Sequence, residues 1–209
     1  MNAPVAHSSF IDLLRHGQPQ GGERLRGRQD DPLDSVGWIQ MHRAVAAAGP
    51  WQRIHSSPLR RCAEFARVLA EQRDIPLTLD ERLGEMDFGQ WQGQSIADIL
   101  EHDGDRLRAF WRDPTAHHPP GGEPLPALAA RLQPFWDERL AAPAGERVLV
   151  VAHSGVLRVL VALALTLPLQ AVARLRFAHA ARVTLRVDHH RDGPLPRLLF
   201  PGASEDASC

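Results

Sequence analysis

Two cysteines, Cys62 and Cys209, are too few to form a disulfide framework, and no Cys-x-x-Cys spacing suggests a zinc site. Neither charge dominates. The formal net charge is −1, so no global basic surface asks for nucleic acid. Long hydrophobic runs are also missing. The most apolar stretch, residues 156–169, is interrupted by Arg158 and closed by Pro168, too short and too marked for a membrane span. The first residues lack the basic and apolar regions of a secretory leader, and no internal repeat is visible. These absences predict a reduced, cytoplasmic protein with neither a nucleic-acid nor a membrane partner. Hydrophobic content of 44% and charged content of 23% are ordinary for a globular chain. A single domain over 1–209 is expected.

Two segments share one design. The run Phe10-Ile-Asp-Leu-Leu ends in Arg15-His16-Gly17, and Val148-Leu-Val-Val-Ala ends in His153-Ser154-Gly155. Each reads as a buried strand that delivers a histidine to its carboxyl end. In a parallel α/β sheet such ends meet at the edge where ligands bind. Arginine offers a planar fork for phosphate, and a neutral histidine is a nucleophile toward phosphorus. Between them lie Ile54-His-Ser-Ser-Pro-Leu-Arg-Arg, with Arg60 and Arg61, and Arg82-Leu-Gly-Glu-Met-Asp-Phe-Gly-Gln-Trp-Gln-Gly, with Glu85 and Asp87.

Taken in order, these motifs resemble the histidine phosphatase superfamily, the phosphoglycerate-mutase-like fold. Arg-His-Gly stands at 15–17, Ser-Pro-Leu-x-Arg at 57–61, Leu-x-Glu-x-x-Phe-Gly-x-Trp-x-Gly at 83–93 and Ala-His-Ser-Gly at 152–155. The resemblance covers about 9–188. It implies a three-layer α/β/α sandwich with a mainly parallel sheet and a small cap around 85–126. It also implies an acid-type phosphatase that uses no cofactor and no metal.

The resemblance assigns His16 as nucleophile, with its other ring nitrogen bonded to a nearby backbone carbonyl. Arg15 and Arg61 would clamp the phosphoryl oxygens. Adjacent helical residues point about 100° apart, so Arg60 should face solvent or the substrate rim. His153, protonated, would donate to the equatorial oxygens from a helix N-terminus. Glu85 would protonate the leaving oxygen and then activate water, its carboxyl desolvated by Phe88 and Trp91. Asp87 is the chemical competitor. Gln18, Arg24, Arg26, Arg28 and Trp91 are candidate rim residues, although the three arginines read equally well as a solvated loop. Glu123 is either a cap or substrate residue or an ordinary surface carboxylate.

The chain departs from the family where Gln18, Pro19 and Gly22 replace the usual residues after Arg-His-Gly, which removes one neutral phosphate donor. A short cap favours a phosphatase over a mutase. Among short members the chain is most similar to bacterial alpha-ribazole phosphatases of cobalamin assembly, through the run 21–28 and Gly49-Pro50-Trp51. A broad sugar or nucleotide phosphatase, a phosphoglycerate mutase and a catalytically silent phosphate-binding protein remain as alternatives. The partner is a small phosphomonoester, and a homodimer is left open.

Pattern also predicts the elements. Strands are expected at 9–15, 53–56, 75–79, 148–152 (central) and 182–187, with an edge at 197–200. Helices are expected from a Ser35 cap to 48, from Pro58 with Cys62, Phe65, Ala66 and Leu69 inward, over 95–112 with a break near Gly104, over 125–140 with a kink at Pro134, and after a Ser154 cap. Residues 17–33 read as a long functional loop. His117, His118, His189 and His190 read as surface loop residues, His179 as a rim residue, His55 as a strand end, and 201–209 as a disordered tail.

Overall fold

In the computed structural model, which describes residues 8–200, the first apolar run forms β1 (Ser8–Arg15). Its side chains alternate between two cores, as period-two geometry requires. Ile11 and Leu13 join a cluster with Val148, Val150, Leu185 and Val187, while Leu14 joins Ile54, Leu149 and Val151 on the opposite face. The other strands are β2 (Arg53–Ser56), β3 (Leu77–Leu79), β4 (Arg147–Ala152), β5 (Arg182–His190) and β6 (Gly193–Leu199). They form one sheet in the order β3-β2-β4-β1-β5-β6. Pairs among β3, β2, β4 and β1 are parallel; β5 and β6 close the sheet antiparallel. The most apolar strand, β4, is central.

Helices cover both faces. On one side lie α1 (Ser35–Val45) and α2 (Arg60–Arg73), which bury Met41, Val45, Cys62, Phe65 and Leu69. On the other lie α4 (Leu125–Leu140) and α5 (Ser154–Ala164), which bury Leu128, Leu132, Phe135, Leu157 and Leu160. This is the three-layer α/β/α arrangement. The remaining helix, α3 (Ile96–Arg112), opens with a Ser95–Asp98 capping box and is interrupted by a non-helical Asp103, next to the glycine where a break is expected. Ile99 and Leu107 of α3 meet Trp91 in a separate small core.

Several boundaries differ from expectation. Asp34, not Ser35, caps α1 by accepting from Gly37 N–H, and the helix stops at Val45. The second helix starts at Arg60, past Pro58. His153 itself is the N-cap of α5, with Ser154 as its first helical residue. α4 runs as one element through Pro134. His189 and His190 belong to β5 rather than a loop, and β6 begins at Gly193. The predicted tail lies outside the described residues. No helix among those described is long and apolar enough to cross a membrane.

One buried charge escapes the sequence pattern. Asp12, in the middle of β1, is fully buried. It accepts from Trp51 Nε1 at 2.6 Å, Arg147 Nε at 2.9 Å, Arg182 Nη1 at 2.8 Å and the Thr184 hydroxyl. Burial pushes its pKa up, but the bonds from Arg147, Thr184 and Trp51 outweigh it and hold the carboxylate ionised. Trp51 therefore belongs to the core.

Candidate active site

β1 and β4 are parallel neighbours, so Arg15, His16 and His153 emerge together at the carboxyl edge of the sheet. The backbone fixes the nucleophile candidate. His16 N–H donates to Ala152 O at 2.9 Å, and His16 O accepts from Ala180 N–H at 3.1 Å. The His16 and His153 rings meet edge to face, 5.2 Å between centroids. His16 Nδ1 lies 2.7 Å from Gly17 O. A carbonyl only accepts, so Nδ1 carries the proton and Nε2 keeps its lone pair. Burial, then the charges of Arg61 and Arg15, hold the His16 pKa well below the usual value, so the ring is neutral. Gly17 must be glycine because a Cβ there would stand 2.4 Å from Gly37 O. The loop and the first turn of α1 touch backbone to backbone.

Arg60 and Arg61 diverge as helical geometry demands. Arg60 is exposed and pairs with Glu64, whereas Arg61 is 1% exposed and turns inward. Arg61 Nη1 donates to Gln29 O at 2.6 Å, Nη2 to Gly27 O at 2.8 Å and Nε to His153 Nδ1 at 3.2 Å. The long loop after β1 thus holds this guanidinium in place. Arg61 can only donate, so His153 Nδ1 accepts and the ring proton sits on Nε2, 2.7 Å from Ser57 Oγ. Burial, Arg61 and His16 push the His153 pKa well down. The expected protonated His153 is therefore corrected to a neutral N–H donor. Cys62 packs beside it, 3.7 Å from Nε2; burial pushes the thiol up to about 12, and it stays protonated.

Glu85 stands between two 3-10 turns, Glu81–Leu83 and Gly89–Trp91. Its Oε1 accepts from Met86 N–H at 3.0 Å, and its Oε2 accepts from Gly155 N–H, in the first turn of α5, at 3.3 Å. Asp87 is occupied otherwise, accepting from Gly89 N–H at 2.7 Å. Arg15 and Arg158 both feel the Glu85 charge. Arg158 was not singled out by motif, yet it lies one helical turn beyond Gly155 and on the same face. Its Nε is buried without a hydrogen-bond partner, as is Nε of Arg15, whose Nη1 donates to Phe177 O at 2.6 Å.

The rim candidates divide. Trp91 does not present a flat face to a ligand. It is 2% exposed, donates to Asp103 at 2.9 Å and packs edge-on against Phe110. Arg26 is also withdrawn: it pairs with Asp31 at 2.9 Å and donates to Gln20 O and Gly22 O, bracing the loop. Gln18 donates to Asp34 at the start of α1. Arg24 folds over Gly21, and Arg28 is exposed, its guanidinium beside Gly84. Among the described bonds, none of these joins the histidines.

His179 does come to the site. Its ring lies 5.8 Å from that of His16, and burial, with Arg15 and Arg26, lowers its pKa to about 4. His117 and His118 are exposed. His55 lies on β2 beneath the site, against Phe135 and Arg139. Ser57 is a partner that its motif contained without revealing its role. Two surface hollows, of about 320 Å³ near Trp111 and Arg174 and about 600 Å³ near Ala129 and Leu163, include none of the central residues. Among the described residues, no group of three or more His, Cys, Asp or Glu could hold a metal ion.

Comparison with known proteins agrees with this geometry. The pattern of the histidine phosphatase superfamily (branch 1) matches residues 11–196. A bifunctional protein of Mycobacterium tuberculosis is 35% identical over 158 residues, covering 73% of this chain but 43% of its own. The chain thus spans less than half the length of that relative. The glucosyl-3-phosphoglycerate phosphatase of Mycobacterium tuberculosis is 36% identical over 168 residues, 75% of each chain. A solved structure of a mycobacterial glucosyl-3-phosphoglycerate phosphatase superposes with a TM-score of 0.80 at 30% identity, covering 94% of this chain and 100% of the other. The adenosylcobalamin/alpha-ribazole phosphatase of Salmonella typhimurium is less similar, 29% identical over 75% of this chain and 79% of its own. With a match over nearly the whole length and the two histidines side by side at the sheet edge, the chain belongs to the histidine phosphatase superfamily.

Proposed function

We propose that this chain hydrolyses small phosphomonoesters through a phosphohistidine on His16. One observation carries the reading: His16 is neutral, its Nδ1–H is committed to Gly17 O, and its Nε2 lone pair is left among Arg15, Arg61 and His153. In the first step Nε2 attacks phosphorus and the bond to the leaving oxygen breaks. Glu85, in its acid form, gives that oxygen a proton. In the second step Glu85 takes a proton from water, which attacks the phosphohistidine and frees His16. Charge on the phosphoryl oxygens is met by the remaining N–H groups of Arg61 and by Arg15, while His153, whose one N–H faces Ser57, accepts from Arg61 Nε and so orients that guanidinium. General acid help of this kind contributes roughly 10²–10⁴-fold.

For the leaving group, the reading favours a sugar-acid alcohol of the kind named for the glucosyl-3-phosphoglycerate phosphatases. Arg158, whose buried Nε has no hydrogen-bond partner, feels the charges of both Glu85 and Arg176, and a cation of this kind near the acid suits an acidic leaving group. Alpha-ribazole 5′-phosphate is the second reading, but Arg26 and Trp91, which would have contacted it, are engaged elsewhere. A turnover panel at equal concentration tests both: glucosyl-3-phosphoglycerate, alpha-ribazole 5′-phosphate, nucleotides, sugar phosphates and 3-phosphoglycerate. The sugar-acid ester should have the highest kcat/KM, with release of phosphate. Phosphoglycerate interconversion without release would favour a mutase. No turnover of p-nitrophenyl phosphate would favour a silent binding protein.

A further inference from the structure

The loop that carries Glu85 is held by one remote ion pair. Arg131, in the second turn of α4, reaches across to it with a full set of donors. Its Nη1 donates to Arg82 O, and its Nη2 donates to Gly84 O at 2.7 Å and Glu85 O at 3.2 Å. Its Nε donates to Glu123 Oε1 at 2.7 Å, and Nη2 also reaches Glu123 Oε2 at 3.1 Å. Glu123 binds the loop from the other side of Glu85. Its Oε2 accepts from Asp87 N–H at 3.3 Å, and its own N–H donates to Asp87 O at 2.8 Å. The pair is mostly buried, with side chains 20% and 15% exposed.

Two backbone carbonyls before Glu85, and its own, are thus tied to a single guanidinium, while Glu123 holds the Asp87 amide and carbonyl beyond it. Such a fork fixes direction as well as distance, which a lysine ammonium cannot do. The start of the stretch is also anchored through Arg82 to Asp80 and Glu138, but among the described bonds only the Arg131 side chain reaches the Glu85 carbonyl. Glu85 itself meets α5 through one amide, Gly155 N–H. Acid catalysis demands that the carboxyl be held within about half an ångström of its working position. Neither Arg131 nor Glu123 is needed to bind phosphate in the scheme above.

We propose that Arg131 and Glu123 are positioning residues for Glu85, acting through the 82–87 backbone to set the acid against the leaving oxygen. The inference rests on the reading of Glu85 as the general acid. It predicts a signature that a merely structural pair would not give. Loss of the pair should slow esters with poor leaving groups, which need a proton, far more than esters with good ones, which do not.

The test compares kcat/KM, which ends at departure of the leaving group, for glycerol phosphate and p-nitrophenyl phosphate. Arg131→Met, Arg131→Lys, Glu123→Gln and Glu85→Gln are measured alongside wild type. Arg131→Met should lose on the order of a hundredfold on glycerol phosphate, the cost of an ångström-scale misplacement, and at least tenfold less on p-nitrophenyl phosphate. Arg131→Lys should not restore the difference. Glu123→Gln, which keeps Arg131 and its three carbonyl bonds, should show a smaller split in the same direction. It decides the matter if Arg131→Met fails to fold. Equal losses on both esters in the Arg131 and Glu123 variants, with a clear split in Glu85→Gln, would overturn this inference and leave the acid assignment standing. No split in Glu85→Gln would overturn the acid assignment itself, and the positioning role with it.

Discussion

Gly155 is the position where one methyl group should separate catalysis from stability. It lies in the first turn of α5, directly after the segment that presents His153. A Cβ built there would stand 2.5 Å from Glu85 Oε1 and 3.4 Å from its carboxyl carbon, and meets nothing closer. The obstructed atom is the end of a side chain, so the fold can yield cheaply by moving it. That movement is the damage. To regain ordinary contact the carboxylate must withdraw by roughly 0.9 Å, and displacement on that scale costs about a hundredfold in rate, or about 2.7 kcal/mol of barrier. Alanine is meanwhile favoured over glycine in a helix by up to about 1 kcal/mol. Gly155→Ala should therefore keep or raise Tm while kcat/KM for glycerol phosphate falls about a hundredfold and that for p-nitrophenyl phosphate falls much less. The measurement is a thermal melt beside steady-state kinetics on both esters. A variant that turns over glycerol phosphate like wild type would refute the claim that Glu85 works from where it stands. A variant that melts much earlier would refute the claim that only the side chain has to move.

Three more outcomes follow from the same geometry. Arg26→Ala should weaken turnover of every ester alike, p-nitrophenyl phosphate included, because Arg26 braces the loop whose Gly27 and Gln29 carbonyls hold Arg61; a loss confined to alpha-ribazole 5′-phosphate would restore its rim role. Burial depresses the pKa of His16 and His153, and lowers His55 and His179 to about 4, so these groups add stability that is full above the unfolded value near 6.5 and is lost as pH falls toward 4. Tm should fall across that window, less steeply in His55→Gln, whereas kcat/KM should hold well below pH 6.5 because His16 stays neutral; an activity loss centred at 6.5 would contradict the assignment. Activity should survive EDTA, since Arg15 and Arg61 supply the positive charge; loss on chelation with recovery on a divalent ion would count against the scheme.

Much of this arrangement is legible in the sequence, for identifiable reasons. Strands such as Phe10–Leu14 and Val148–Ala152 declare themselves by apolar runs that stop at histidine, and the family pattern picks Arg61 while helical phase sends its neighbour Arg60 outward. What is hidden depends on direction or on distant partners. Arg26 and Trp91 carry ligand-like chemistry, but nothing local says which way they point; Asp31, five residues beyond Arg26, is the one nearby hint. Asp34 and Ser35 are both good caps, and pattern cannot choose between neighbours. Asp12 looks like a flaw in a core strand until Arg147 and Arg182, more than a hundred residues away, are seen to neutralise it. Arg131 and Arg158 sit on amphipathic helices where an arginine ordinarily faces water. His153 is the subtler case: its position follows from the motif, but its neutral state follows from Arg61 Nε, which no motif reveals.

The covalent step on His16 is the claim on which the rest depends. Wild-type protein mixed with ³²P-labelled substrate and quenched in alkaline denaturant should carry label on one peptide, that containing His16. The label should survive base and be released by acid, as a phosphoramidate bond is, and His16→Ala should trap none and turn over nothing. Label that resists acid, label on another residue such as Ser57, or sustained turnover by His16→Ala would contradict the account.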